Sequence, residues 1–239
     1  MSADSSATGT DSMTVSGSVS TAGSISVMTE DAPTTWTGSL RHKWMRTLPP
    51  DKMLPERQPA YVTSWIYVFG MATIVSLILV LGSGAILTLG GVEWFHTSSL
   101  GRFVNSLHFW SVQLFFLFMI VHLWGKFWMA AWRGKRAMTW MTGAVAFLAS
   151  VGTAFTGYVI TTNFNAQWIA FESKDVMNAV GLGAIFNVAD LGQMILLHVC
   201  LLPAGLGLIV IMHVLLVRKH GVVPPLEALD PDAQKAQVA

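Results

Sequence analysis

Charged residues are scarce in this sequence. Asp, Glu, Lys and Arg make up 11% of its 239 residues, whereas a soluble domain carries about 25%. Hydrophobic residues reach 53%, and the mean hydropathy is +0.55. This composition excludes an ordinary water-soluble domain and predicts an integral membrane protein. The chain also lacks a basic patch interleaved with aromatic residues, so no nucleic acid is expected as a partner.

Cysteine is nearly absent as well. The single Cys200 lies in an apolar run between Val199 and Leu201. One cysteine excludes an internal disulfide and a cysteine-based metal site. We expect Cys200 to be a small buried apolar residue.

Large apolar residues are almost missing from residues 1–35, which are rich in Ser, Thr, Gly and Ala. Such a segment buries too little surface to offset its chain entropy, so it is predicted to be a disordered tail. It also lacks the basic start and continuous apolar core of a cleavable signal. We therefore expect the N-terminus to stay on the side where it is made.

Residues 36–61 form a basic, amphipathic segment. Tryptophan, leucine and methionine residues are interspersed there with five cations, which are Arg41, Lys43, Arg46, Lys52 and Arg57. A short helix on the membrane surface, broken at Pro49 and Pro50, fits this mixture. An irregular solvated segment is the alternative.

Four apolar runs are each long enough to cross a bilayer. We call them spans 1 to 4, and in the sequence they cover Val62–Leu89, Phe103–Trp128, Thr139–Ile160 and Leu191–Val217. The sequence therefore predicts an all-α membrane protein in which residues 62–220 are a bundle of four transmembrane helices and residues 221–239 are a C-terminal tail. A short loop is expected at Gly90–Arg102. Surface helices are expected in Thr161–Asp190, which carries its own aromatic and apolar residues.

The cations indicate how the chain is oriented. All of the 14 Lys and Arg residues except Arg102 and Lys174 precede span 1, flank the connection between spans 2 and 3, or follow span 4. By the positive-inside rule, both termini face the cytoplasm. We expect the membrane to be a bacterial cytoplasmic (inner) membrane.

Four histidines lie within the spans. His108 and His122 are 14 residues apart on span 2, and His198 and His213 are 15 apart on span 4. At about 1.5 Å and 100° per residue, either gap raises the second imidazole by about 21–23 Å and turns it by about 40–60°. Each span thus presents two histidines at two heights. A packing of span 2 against span 4 would pair them in two layers.

Paired imidazoles at two heights suit haem better than zinc. Zinc would need four ligands from Cys, His or carboxylates in each layer, but spans 2 and 4 contain no Asp or Glu there. A six-coordinate haem iron needs one imidazole on each side of a macrocycle that supplies the other four ligands. For any one of these histidines alone, a hydrogen bond to a neighbouring helix is the alternative.

Two glycine pairs repeat the histidine spacing. Gly70 and Gly84 on span 1 are 14 residues apart, and so are Gly143 and Gly157 on span 3. Positions without a side chain at the heights of the histidines would leave room for the edges of a porphyrin. Close packing of the helices is the alternative role of such glycines.

Several short motifs, together with these pairs, match a known family. They are Trp140 three residues before Gly143, the run Phe155-Thr156-Gly157-Tyr158, Pro203 five residues after His198, and Arg218-Lys219-His220-Gly221 at the end of span 4. Over roughly residues 36–227 the chain resembles the cytochrome b family. It is most similar to the short four-span form, as in the cytochrome b-six subunit of photosynthetic quinol-oxidising complexes.

The resemblance implies two stacked haem b groups. His108 and His198 would ligate the outer haem, and His122 and His213 the inner one. The implied function is that of a di-haem cytochrome b subunit, which carries electrons across the membrane in a quinol-oxidising, cytochrome bc-type and Rieske-linked complex, respiratory or photosynthetic. Such a subunit transfers electrons for an oxidoreductase and is not catalytic alone.

The resemblance also implies partners. They are quinone, membrane lipids, a Rieske iron–sulfur protein, a c-type cytochrome and a separate membrane subunit equivalent to the family's C-terminal half (subunit IV-like), in a homodimeric complex. The separate subunit is expected because the segment that completes the outer quinol pocket belongs to that C-terminal half.

Some positions depart from the family. The arginine expected three residues before His108 is replaced by Asn105, and Arg102, one turn earlier, is its candidate substitute beside the haem propionates. On the inner side Lys126 is the candidate propionate partner. A lysine that extends to the membrane surface from a helix end is the alternative. The covalently attached haem of the photosynthetic short form is not expected, because no cysteine lies near span 1.

The residues after Tyr158 also differ from the family, whose Leu-Pro-Trp and nearby Gln line the outer quinol pocket. Gln167 and Trp168 preserve part of that pattern. An alternative function follows: a di-haem electron conduit between the quinone pool or outer carriers and a different oxidoreductase, without a functional outer quinol pocket. A haem-free membrane scaffold with the same fold is the third hypothesis.

Overall fold

The computed structural model of the protein describes residues 35–49 and 65–224. The predicted disordered tail, apart from Thr35, lies outside these residues. So do positions 50–64 and the C-terminal tail beyond residue 224.

Helix α1 covers Trp36–Thr47. The sequence leaves a short helix and an irregular segment open for this stretch, and the structure has a helix. The helix ends just before Pro49, since proline disfavours helical conformation in the residue before it. Trp36 and Trp44 are exposed beside the cations of α1. This combination is typical of a helix at a membrane surface, and that location stays a prediction.

The part of the chain that the structure describes has four helical segments long and apolar enough to cross a membrane: Trp65–Gly90, Ser99–Trp128, Gly134–Val159 and Leu191–His220. They correspond to spans 1 to 4. No β-strand occurs among the described residues. The predicted all-α bundle with four membrane spans is confirmed.

The spans contain five of the α-helices, and two more helices lie in the connections. Span 1 is a 3-10 turn, Trp65–Tyr67, followed by α2, Val68–Gly90. Then come α3, Val92–Thr97, and α4, Ser99–Trp128, which is span 2. Span 3 is a 3-10 turn, Gly134–Arg136, and α5, Ala137–Val159; α6 covers Phe164–Ala179. Span 4 is α7, Leu191–Leu196, a π-helical turn, Leu197–Leu201, and α8, Leu202–His220.

The connection between spans 1 and 2 is more ordered than predicted, because α3 and the first residues of α4 together occupy most of the expected loop. Gly91, with φ of 80°, makes the sharp turn from α2 into α3, a conformation that favours glycine. Ser98 then caps α4, since its side chain accepts a hydrogen bond from the Gly101 N–H at 3.4 Å. Span 2 therefore begins at Ser99 instead of the expected Phe103.

The connection between spans 3 and 4 contains α6, as the sequence predicts. Asn163 caps this helix, because its side-chain oxygen accepts from the Ala166 N–H at 2.9 Å. Asp190 caps α7 in the same way, accepting from the Gln193 N–H at 3.1 Å. Caps at both ends of the connection hold it as a defined structure.

The spans pack mainly in two pairs. Helix α2 packs along α4, and α5 packs along α8, whereas the two pairs contact each other much less. Span 1 thus lies beside the histidines of span 2, and span 3 beside those of span 4. This pairing positions the candidate site, which lies where the two pairs face each other.

Apolar side chains of the spans face outward. Exposed examples occur on each span: Ile78, Leu117, Leu148 and Ile211. The buried polar residues are instead the small hydroxyl side chains Ser76, Ser83, Ser111, Thr142, Ser150 and Thr156. In a bilayer, lipid is as apolar as leucine, so small residues at the helix contacts are favoured. Cys200 is exposed, and our expectation that it is buried was wrong because its helix face belongs to this outer surface.

A compact apolar cluster lies where α5, α6 and α7 meet. It is formed by Val159, Ala170, Val188 and Met194, with Val188 and Met194 fully buried. The cluster fixes the end of span 3 and the beginning of span 4 relative to each other. It therefore supports the part of span 4 that carries His198.

Replacing Met194 by alanine is predicted to lower the free energy of unfolding by about 2–5 kcal/mol, because it leaves a cavity in this cluster. Met212→Ala is the matched control on span 4. Its side chain is 48% exposed, so the expected loss is under about 1 kcal/mol. Denaturation of the detergent-solubilised protein, followed by far-UV circular dichroism, measures both. Equal losses would contradict the role of the cluster.

Candidate functional site

The outer layer contains His108 on α4 and His198 in the π-helical turn of span 4. Their ring centroids are 6.3 Å apart, and the ring planes are inclined at 85°. Both side chains are partly buried. The structure thus brings together two imidazoles that are 90 residues apart in sequence, as the spacing predicted.

The inner layer contains His122 on α4 and His213 on α8. These side chains lie close enough to interact electrostatically. His122 follows His108 by 14 residues in one continuous helix, which corresponds to a rise of about 21 Å. Two layers at different depths are therefore present in the bundle.

Each of the four predicted glycines faces one of these histidines. A Cβ atom placed on Gly70 or Gly84 would lie 3.0 Å from Cε1 of His122 or 3.2 Å from Cε1 of His108. A Cβ atom placed on Gly143 would lie 3.0 Å from Cε1 of His213.

Gly157 is the tightest of the four positions, because its added Cβ would collide with the ring of His198. The glycines thus make room first for the imidazoles themselves. Their predicted role beside a porphyrin edge stays a prediction.

Three hydroxyl residues that the sequence analysis missed complete these contacts. Each directly precedes one of the glycines, and its oxygen lies 3.0, 3.1 or 3.4 Å from Nδ1 of a histidine: Ser83 at His108, Thr142 at His213, and Thr156 at His198. The signal was present in the sequence, since a hydroxyl residue stands before three of the four spaced glycines.

The hydroxyl groups are acceptors for the imidazoles, because they donate their own protons elsewhere. Ser83 Oγ donates to the Leu79 carbonyl at 2.6 Å. Thr142 and Thr156 each donate at 2.8 Å to the carbonyl three residues earlier in α5. The imidazole nitrogens that face these oxygens must therefore carry the hydrogen.

Backbone carbonyls fix the same tautomer in the outer layer. His108 Nδ1 donates to the Val80 carbonyl at 3.1 Å, and His198 Nδ1 donates to the Thr153 carbonyl at 2.8 Å. A carbonyl can only accept, so the proton lies on Nδ1 and the lone pair lies on Nε2. Among the described residues, no hydrogen bond engages Nε2 of any of the four histidines. This is the arrangement of a metal-ligating histidine, whose second nitrogen is held by an acceptor.

His122 differs from the other three. Its Nδ1 is buried and has no hydrogen-bond partner among the described residues. The residue before its glycine is Phe69, which offers no acceptor. The asymmetry between the layers therefore originates in span 1.

His198 lies in the π-helical turn Leu197–Leu201, where the Leu202 N–H donates to the Leu197 carbonyl five residues back. Pro203 follows at once. A proline has no N–H and its ring clashes with the carbonyl four residues earlier, so a wider turn before it relieves the clash. Such turns are frequent at functional sites.

The two predicted propionate partners contact their own chain. Arg102 is exposed and donates to the carbonyls of His96 and Thr97, at 3.3 and 3.5 Å, near the end of α3. Lys126 lies one turn beyond His122, with Nζ 3.8 Å from the ring centroid of Tyr67. A contact of either cation with a haem propionate stays a prediction.

The residues present fit a haem. Within residues 35–49 and 65–224, no group of three or more His, Cys, Asp or Glu side chains could hold a metal ion by itself. Each layer supplies two imidazoles, the number that a six-coordinate haem iron takes from the protein. Two imidazoles bound to one metal through bonds of about 2 Å would have ring centroids about 6 Å apart, and the centroids of the outer pair are 6.3 Å apart.

The chain is similar in sequence to proteins of known function. The family described as "Cytochrome b(N-terminal)/b6/petB" matches residues 113–238. The menaquinol:cytochrome c reductase cytochrome b subunit of Geobacillus thermodenitrificans is 25% identical over 201 residues, which cover 74% of this chain and 90% of that protein. Cytochrome b6 of Heliomicrobium gestii is 28% identical over 137 residues, 53% of this chain and 64% of that protein.

A solved structure described as a hyperthermophilic respiratory Complex III has the same fold. The TM-score is 0.63 at 18% identity, and the match covers 81% of this chain. It spans 57% of the length of that chain, so the likeness concerns the four-span part of a longer protein. By its family match, its helical bundle and its paired histidines, this membrane protein belongs to the cytochrome b family, in the N-terminal, b6-like form.

Proposed function

We propose that the chain is the di-haem cytochrome b subunit of a quinol-oxidising complex of the cytochrome bc type. His108 and His198 hold an outer haem b, and His122 and His213 hold an inner one. The observation that supports this most directly is the outer pair, in which the ring centroids of two imidazoles lie 6.3 Å apart and their Nδ1 protons are directed to acceptors. The unengaged Nε2 atoms are the ligand atoms.

A bound haem supplies one-electron chemistry. The chain holds each imidazole in one tautomer and one orientation, through hydroxyls and carbonyls on the neighbouring helix. With two imidazoles in each layer, the chain would supply both protein ligands of a haem iron, so a haem held there would serve electron transfer and not oxygen binding. The glycines keep the facing positions of spans 1 and 3 free of side chains.

The π-helical turn brings the histidines of the two spans into register. In regular α-helices, gaps of 14 and 15 residues turn the second histidine in opposite directions, by about −40° and +60°. The π-helical turn Leu197–Leu201 contains one residue more than a regular α-helical turn. The residues after it therefore keep the angular positions that they would have without the additional residue. His198 and His213 therefore have the same relative orientation as two histidines 14 residues apart in a regular α-helix. His198 can then pair with His108, and His213 with His122.

The names of the relatives support the wider assignment. One relative is the cytochrome b subunit of a menaquinol:cytochrome c reductase, and another is a cytochrome b6. We propose that this chain works likewise with quinol, a Rieske iron–sulfur protein, a c-type cytochrome and a subunit IV-like membrane subunit, in a homodimeric complex. Its membrane is the bacterial inner membrane, with both termini in the cytoplasm.

A second candidate function is the di-haem conduit without an outer quinol pocket. Two polar residues at the position of the family's pocket are engaged locally. The Asn163 side chain caps α6, and Gln167 Nε2 donates to the Thr162 carbonyl at 2.8 Å. Side chains used in this way are not directed to a quinol, which favours the conduit.

The ligand assignment is tested by His108→Leu and His122→Leu. Each substitution removes one axial imidazole from a different layer, so each should abolish a different haem and leave about half of the haem content. Redox-difference spectra and titration of the purified complex measure this. Loss of both haems in each stably folded variant, or of neither, would contradict two separate layers.

The role of the π-helical turn is tested by two single-residue deletions that both shorten the 15-residue gap. Deleting Val199 removes the additional residue of the turn, so both haems should be retained. Deleting Leu208 in α8 keeps the turn and rotates His213 by about 100° relative to His198, so the inner haem should be lost. Equal haem content in the two variants would refute the proposed register.

The two candidate functions differ in their response to quinol. In the isolated complex, an inhibitor of the outer quinol site should largely abolish reduction of the haems by quinol, whereas reduction by dithionite should be unaffected. If quinol reduces the haems equally well with the inhibitor present, the conduit is the better assignment.

A further inference from the structure

The two layers differ in how firmly their imidazoles are hydrogen-bonded. In the outer layer, Nδ1 of both histidines lies within hydrogen-bond distance of a hydroxyl and a carbonyl. In the inner layer, His213 Nδ1 pairs with the Thr142 hydroxyl at 3.1 Å. His122 Nδ1 is buried without a partner in the part of the chain that the structure describes.

Span 1 lacks both kinds of acceptor beside His122. The position before Gly70 holds Phe69, where the other glycines are preceded by Ser or Thr. The carbonyl four residues before a glycine serves His108, His198 and, through Thr139, also His213. At His122 the corresponding carbonyl would be that of Ile66. Ile66 belongs to the 3-10 turn Trp65–Tyr67 and not to a regular α-helix, and Nδ1 of His122 makes no hydrogen bond to its carbonyl.

Phe69 is also held firmly in place. Its ring packs edge-to-face on Trp65 at 5.8 Å and against Phe118 of span 2 at 6.1 Å. Phe69 thus places an apolar ring, without a hydrogen-bond acceptor, at the position where the other three glycines are preceded by Ser or Thr.

A hydrogen bond from Nδ1 makes an imidazole a more basic ligand. A more basic axial ligand stabilises the oxidised, more positive iron and lowers the reduction potential, which hydrogen bonding around haem is known to tune. A haem with two such ligands therefore takes up an electron less readily than a haem with one.

We propose that Phe69 is a positioning residue that sets the redox order of the two haems. By withholding an acceptor from His122, it raises the reduction potential of the inner haem above that of the outer haem. Electron transfer from the outer to the inner layer is then downhill. This inference rests on the proposed function, because it requires a haem in each layer.

The test compares Phe69→Thr with Phe69→Val. Threonine and valine have nearly the same shape, so both variants lose the aromatic packing to the same extent. Only threonine adds a hydroxyl acceptor, like the Ser or Thr that precedes the other three glycines. Both are made in a His108→Leu background, where the inner haem alone gives a single redox wave. We expect the Thr variant to have the lower midpoint, by about 30–60 mV, or roughly three- to tenfold in the reduction equilibrium at 59 mV per decade.

Thr142→Val, with Phe69 unchanged, supplies an independent measurement if both Phe69 variants fold poorly. It removes the hydroxyl acceptor of His213, so the inner midpoint should rise. The principal g-values of the low-spin haem in electron paramagnetic resonance should shift with each midpoint. Identical midpoints for Phe69→Thr and Phe69→Val, or an unchanged midpoint in Thr142→Val, would overturn the inference. Absence of any haem wave in the His108→Leu background would instead overturn the proposed function.

Discussion

The hydrogen bond from imidazole Nδ1 to a neighbouring helix is the interaction on which the candidate site depends. Within a bilayer no water replaces it, so a buried imidazole N–H without an acceptor is costly, and among the four histidines only His122 lacks an acceptor in the part of the chain that the structure describes. Ser83, Thr142 and Thr156 provide one, and each stands next to the glycine that makes room for the same ring. A hydroxyl followed by a glycine therefore positions the histidine and leaves Nε2 as the nitrogen with the free lone pair. The spans without these histidines thus determine the orientation and the tautomer of the imidazoles.

The sequence predicted the spans and the histidine layers well, because both follow from strong regularities. Apolar length defines a membrane helix, and gaps close to a whole number of turns place His108 and His122 on one face. The hydroxyl acceptors were missed for a physical reason. Serine and threonine in membrane helices commonly bond to their own backbone, as Ser150 does, so a hydroxyl before a spaced glycine gains its meaning only when the glycine is known to face a histidine.

Local backbone features were harder to predict than the layers. In a regular α-helix, the second histidine of a 15-residue gap is rotated by a similar angle to that of a 14-residue gap, but in the opposite direction. The π-helical turn beside Pro203 compensates for this difference between the two spans. It was not predicted, because a single proline in the sequence does not reveal whether a helix kinks, ends or widens. Helix α3 was likewise expected to be a loop, because six residues between Gly91 and Ser98 carry no clear helical period.

The middle and the ends of the bundle obey different constraints. In the middle, the partners of the histidines come from this chain, and their positions follow from helix geometry. At the outer end, Arg102 and Gln167 hold carbonyls of their own loops, so the chain by itself directs few polar groups outward. The histidine pairs are thus held by groups of the four spans themselves, whereas the polar side chains that follow Tyr158 are engaged within their own segment.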